Sequence, residues 1–212
     1  MFMQWLNENS GAISAITGII TVFVWLFYAQ LLYANYSRQT RPKLIVNRSA
    51  GKNLDSHCLI SNMSSEAIYM TSVIGVVGVD EKTYVSDITD SLQGTQGSKD
   101  DSGISTFQGP ISAGGYYLFS KFRNIISFVL DNDVKEQDKD GISCEEVDYI
   151  EIRVVAVYGS ENKPVGFYRQ FNLGKSGAET LLIPDTFTTL RMPRRKEQKW
   201  VKTWLSQIEP QE

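Results

Sequence analysis

A chain of 212 residues with a net charge of −3, one histidine and two cysteines has little material for a transition-metal site or a histidine-based mechanism. Its acidic balance, with a sequence pI near 5.3, argues against nucleic acid as a partner, because such proteins favour basic domains. The mean hydropathy of −0.20 excludes a polytopic membrane protein, so where the apolar residues are concentrated matters more than how many there are.

They are concentrated near the N-terminus. Glu8 and Arg38 bracket a stretch without a charged side chain, longer than the ~20 residues that cross a hydrocarbon core. Within it, ISAITGIITVFVWLFYAQLLYA is broken only by Ser14, Thr17, Thr21 and Gln30. Ser and Thr hydroxyls bond back to the preceding helical turn at little cost in lipid, and Asn9 or Ser10 suits the helix N-cap. A helix apolar on all faces needs a larger core than this chain can build, so residues 10–36 are expected to span a membrane. The leader MFMQWLNEN has no Lys or Arg, and Leu32-Tyr33-Ala34 lacks the small residues of a cleavage site, which favours an uncleaved anchor over a signal peptide. Arg38, Arg41, Lys43, Arg48 and Lys52 follow the segment. By the positive-inside rule, residues 1–9 are expected outside and the rest in the cytoplasm, at the inner membrane of a cell. Trp5 at one end, and Tyr33 and Tyr36 at the other, are expected at the two interfaces with Arg38 and Arg41 beside them. Gly11, Ser14, Ala15 and Gly18 form a small-residue strip that permits close helix–helix approach.

After a basic linker at residues 37–42, Pro42 stops the helix and the pattern changes to short alternating, β-branched runs. Residues 43–187 are expected to form one soluble domain. Strands are predicted at Lys43–Val46, His57–Ile60, Ile68–Val77, Thr83–Ile88, Tyr116–Phe122 and Ile125–Leu130. The two clearest are Val147–Val157 and Val165–Leu173, joined by a polar connection bearing Gly159 and Pro164 that suits a hairpin. In the first, Ile150, Ile152, Val154 and Ala156 share an apolar face, while Tyr149, Glu151, Arg153 and Val155 share a mixed one, as for a sheet covering a core. Roughly seven or eight short strands without a strong internal helix predict a mainly antiparallel β-sandwich. The Gly/Ser/Asp-rich segment Gln93–Gly109 is expected to be a loop.

The runs GAISAI and FYAQLLYANYSRQTRPKLIV, with LISNMSSEAIYMTSV and PISAGGYYLF, resemble segments of small bacterial single-pass membrane proteins of unassigned function that carry an immunoglobulin-like domain. The resemblance covers a minority of the chain and implies an anchored, immunoglobulin-like β-sandwich with no catalytic residue. By analogy it implies an accessory part of a bacterial envelope or defence system. No Trp lies between Lys43 and Phe187, a departure from antibody-type domains, which bury one. Cys58 and Cys144 would be the pair able to bridge such a sandwich, and in the cytoplasm they would stay reduced.

Residues 188–212 begin with the basic run Arg191-Met-Pro-Arg-Arg-Lys196. Trp200, Val201, Trp204, Leu205 and Ile208 then recur at helical spacing on one face. A basic amphipathic helix with Trp200 and Trp204 on its apolar side suits an anionic membrane surface. Packing back onto the β-domain is the competing expectation.

Little in the chain points to chemistry. His57 and Cys58 are adjacent on a predicted strand, so their side chains face opposite ways. Glu136-x-Asp138-x-Asp140-Gly141 has the opening of a calcium loop but Val147 where its closing Glu belongs, so an acidic hairpin loop is expected. No nucleophile elbow or phosphate-binding loop motif is present. The expectation is a non-enzymatic, membrane-anchored recognition module without cofactor or metal, contacting lipid and a protein partner but no nucleic acid. Exposed strand edges, or the loops Gln93–Gly109 and Asp131–Cys144, are expected to make the contacts. The alternative is a self-associating membrane effector or pore component, a homo-oligomer assembled through its transmembrane helix.

Overall fold

The computed structural model describes residues 5, 9–39, 41–90, 108–133, 142–144, 146–159, 164–177, 179–192 and 196–208. The chain divides into two units, residues 1–41 and 42–212.

Among its described residues the first unit contains the helix α1 (Ser10–Gln39). Its Ser10–Tyr36 portion has no buried residue, and its most apolar 18-residue window has a mean hydropathy of 2.0, long and apolar enough to cross a membrane. Thr17 and Thr21 donate their hydroxyls to the carbonyls of Ile13 and Thr17, both at 2.8 Å, so neither leaves a polar group bare in an apolar setting. Asn9 does not cap through its side-chain oxygen; its amide donates to the Trp5 carbonyl at 2.9 Å.

The second unit is mainly antiparallel sheet. β1 (Leu44–Arg48), β2 (His57–Asn62) and β6 (Tyr116–Lys121) form a three-stranded sheet in the order β1-β2-β6. The larger, seven-stranded sheet contains β3 (Ile68–Val79), β4 (Lys82–Asp87), β5 (Gly109–Ile111), β7 (Tyr149–Tyr158), β8 (Pro164–Ser176), β9 (Glu179–Pro184) and β10 (Leu190–Arg191). Its order is β10-β8-β7-β3-β4, with β5 beside β3 and β9 beside β8. The predicted hairpin is present, running from the Tyr149↔Asn172 pair to Val157↔Pro164. Strands β5, β9 and β10 were not anticipated.

The predicted strand at Ile125–Leu130 is a correction: Phe122–Asp133 is a helix, α2. Phe122, Ile125, Ile126, Val129 and Leu130 are its buried residues, and that spacing is the apolar stripe of a 3.6-residue period. Helix α2 lies on the inner face of the large sheet, where Gly75 leaves room: a Cβ there would come within 2.7 Å of Val129. The layer facing the large sheet is therefore a three-stranded sheet plus a helix, and this topology does not establish an immunoglobulin-like sandwich.

Alternation places the core. Ile150, Ile152, Val154 and Ala156 are all fully buried in the main cluster, as the apolar face of that strand predicted. In β3 the alternation breaks at a register shift between Met70 and Ser72. The extra residue lets both Met70 and Val73 face the core, an ordinary consequence of a bulge.

One inward position of β8 is not apolar. Val165, Phe167, Arg169 and Phe171 alternate inward, and Arg169 is only 5 % exposed. Its guanidinium donates to the carbonyls of Val46 (2.7 Å), Thr186 (3.2 Å) and Phe187 (3.3 Å), and sits 5.2 Å from the Phe171 ring centroid. It ties the β1 edge of the small sheet to the loop between β9 and β10. Thr189 adds to the same seam by accepting from the Val46 amide at 2.7 Å. Burial, and then the neighbouring Arg48 charge, pull the Arg169 pKa below its usual value.

Candidate functional site

The outer face of the large sheet carries the mixed residues of β7, and the C-terminal helix α3 (Glu197–Ile208) covers it. Val201 and Trp204 are buried there with Ile74, Val76, Val155 and Met192, and Leu205 and Ile208 pack at the edge. Of the two expectations for this segment, packing on the β-domain is the one the structure shows. Trp204, expected at a membrane interface, is 2 % exposed, because the helix turns its apolar stripe to the sheet and seals the indole beneath it. Gly166 permits the approach: a Cβ there would lie 3.1 Å from Trp204 and 3.2 Å from both Met192 and Val201.

Beside α3 the surface opens into a groove of about 380 Å³. Tyr168, Met192, Trp200 and Trp204 form its apolar walls, and Glu151, Arg153 and Lys196 supply the charge. Arg153 is held from three sides. Its Nε donates to Glu151 at 2.5 Å, its Nη1 to Gln207 at 3.2 Å, and its guanidinium lies 5.1 Å from the Trp204 ring. Tyr168 meets Trp204 edge to face at 6.2 Å between centroids, a favoured aromatic geometry. The ion pair in the floor is thus internally matched. Trp200 (46 % exposed) and the exposed Lys196 stand at the mouth.

The exposed Trp200 indole and the half-buried Tyr168 ring offer an apolar, polarisable surface over the buried Trp204 and Met192, and the exposed Lys196 offers a cation to an anionic group. No group of three His, Cys, Asp or Glu able to hold a metal occurs among the described residues. His57 and Cys58 face opposite sides of β2, as alternation required. Cys58 is fully buried, and desolvation pushes its pKa up to about 12, which leaves an inert thiol. Cys58 and Cys144 are both free.

The other expected site residues belong to the first unit, residues 1–41. Trp5, Tyr33 and Tyr36 are 57 %, 74 % and 68 % exposed. Gly11, Ser14, Ala15 and Gly18 are exposed along α1, with nothing within 4 Å of a Cβ built at either glycine. Arg41 is exposed, and the Arg38 side chain lies outside the described residues. The loops expected to make contacts, and the acidic run from Glu136 to Gly141, fall largely or wholly outside the described residues as well.

Sequence reasoning missed Tyr168, Met192 and the glycine that seats α3. Tyr168 lay on the outward side of a strand whose alternation was already legible. Gly166 had no signal of its own, since a glycine in a strand announces a close approach without naming what approaches. Comparison with protein-family models, with curated protein sequences and with solved structures finds no match to this chain.

Proposed function

We propose that this protein is a non-enzymatic recognition module tethered to the inner membrane by α1, with the β-rich unit on the cytoplasmic side. The observation that carries the reading is an exposed 27-residue span, its most apolar 18 residues averaging a hydropathy of 2.0, followed directly by a unit with its own buried core. Such a span in water would expose far more apolar surface than soluble proteins tolerate, and lipid removes that cost. Arg38, Arg41 and Lys43 at its C-terminal flank support the cytoplasmic orientation. Tethering restricts the unit to a thin layer and raises its effective concentration for partners there. The aromatic groove beside α3 is the recognition surface in this reading, and kinship with immunoglobulin-like domains belongs to the proposal.

The test combines extraction and labelling. The full chain should stay with membranes through an alkaline carbonate wash, whereas the segment Pro42–Glu212 should be soluble. With Cys144→Ser removing the more accessible thiol, Glu81→Cys should react with a membrane-impermeant maleimide only after cells are permeabilised. Release of the full chain by carbonate would overturn the tether, and labelling in intact cells would reverse the orientation.

A further inference from the structure

The two sheets differ in what covers their outer faces. Helix α3 closes that of the large sheet, while the outer face of the small sheet has no described element packed on it. Alternation turns Leu44, Val46, Cys58 and Ile60 inward, and so turns Ile45, Leu59 and Leu118 outward. These three are half-buried and belong to neither core cluster. At the end of the sheet, Met63 is 55 % and Tyr116 is 61 % exposed. Register joins them into one patch: Ile45 pairs with Ser61, which pairs with Tyr116, and Leu59 pairs with Leu118.

The two lysines that alternation places on this face are cationic, while Glu66, exposed three residues from Met63, turns its carboxylate toward Gly159. Lys43, exposed, lies at the Met63 end, where its carbonyl accepts from the Met63 amide at 2.8 Å. Lys121 lies at the other end, paired with His57. The nearby carboxylate, Asp55, is shared between Lys121 (3.6 Å) and Arg123 (3.7 Å), so it does not reverse the balance. A cationic, aromatic and aliphatic surface on a chain of net charge −3 is matched to an anionic, amphipathic counterpart.

Chain connectivity says where such a counterpart is found. Thr40, Arg41, Pro42 and Lys43 are all that separates α1 from β1, a reach of at most about 18 Å even when extended. The chain enters the unit beside this patch, since the Lys43 amide donates to Ser64 at 2.7 Å next to Met63.

We propose that the outer face of the β1-β2-β6 sheet rests on the anionic phospholipid headgroups of the membrane, with Met63 and Tyr116 at the headgroup–acyl boundary and Lys43 and Lys121 on phosphates. This rests on α1 being a membrane anchor and adds a second, monotopic contact to it. The contact orients the unit, turning the large sheet and its groove toward the cytoplasm.

The test uses the full chain, with Cys144→Ser, reconstituted in bilayers with and without phosphatidylglycerol. An environment-sensitive fluorophore is placed at Met63→Cys or, as control, at Glu81→Cys on the β3–β4 turn. Lipids spin-labelled near the headgroup should quench position 63 severalfold more than position 81. Adding Lys43→Gln should reduce that excess about fivefold, the effect of one cation near an anionic surface. Quenching of Trp25 by acyl-chain spin labels reports the anchor independently. If Trp25 is quenched and position 63 is not, the headgroup contact is overturned while the anchor stands. If Trp25 also escapes quenching, the anchor reading itself has failed. Crosslinking through position 63 between two copies, without lipid quenching, would assign the face to a homodimer and overturn the proposal.

Discussion

Strand β7 presents two faces that solve the same burial problem by different means. Inward, Ile150, Ile152, Val154 and Ala156 are all fully buried against a helix and a second sheet. Outward, Tyr149, Glu151, Arg153 and Val155 meet a single helix of 12 residues, and an ion pair and a cation over an indole share the contact. The inner face gains by removing apolar area from water, at roughly 25 cal/mol per Å², and is insensitive to ionic conditions. The outer face gains part of its stability from a matched charge pair that must stay matched. Stability is therefore expected to be graded across the sheet, with the inner layer as the global core and α3 as a separately released element.

The largest effect should come from the inner layer. Phe171 is fully buried and meets Phe122 of α2 edge to face at 5.1 Å, so Phe171→Ala is expected to cost ~3–5 kcal/mol. Urea denaturation of Pro42–Glu212 measures it, and protection of every element should fall together. On the outer face, Gly166→Val would force a branched side chain against Trp204, Met192 and Val201, at an expected ~1–3 kcal/mol. Here hydrogen exchange should rise over residues 197–208 while β3, β7 and β8 keep their protection. Equal loss on both faces would show that the sheet and α3 unfold as one unit, and the graded picture would fail.

The same contrast explains what was legible in the sequence. The inner face was readable from β7 alone, because a strict period of two with one apolar side has one interpretation. The outer face could be placed but not its cover. A stripe of Val201, Trp204, Leu205 and Ile208 has the same spacing whether it meets lipid or a sheet, and only Gly166, far away in sequence, distinguishes the two. Helix α2 was missed for a related reason. Its IISFVL run is short, apolar and partly β-branched, which favours a strand reading, although Phe122, Ile125, Ile126, Val129 and Leu130 carried the helical period. Arg169 occupied an inward position of β8 in plain sight, but its acceptors are carbonyls on segments distant in sequence, and no local pattern names them.

The smallest effect concerns the thiol that the inner face encloses. Cys58 is fully buried and its pKa is raised to about 12 by desolvation, above the ordinary value near 9 that the unfolded chain retains. The folded state therefore holds the Cys58 proton where the unfolded state has released it. Stability from this group is fully present below pH 9 and declines as pH rises from 9 toward 12, at ~1.4 kcal/mol per pH unit within that window. Denaturation of Pro42–Glu212 at pH 8 and pH 10 should show an excess loss of ~1.4 kcal/mol relative to Cys58→Ala. Tyr117, whose phenol is also pushed up by burial, shifts both chains alike and cancels. Identical pH slopes would mean that water or a neighbouring polar group reaches Cys58 through the small sheet, and that the inner face is less sealed than its partner across β7 suggests.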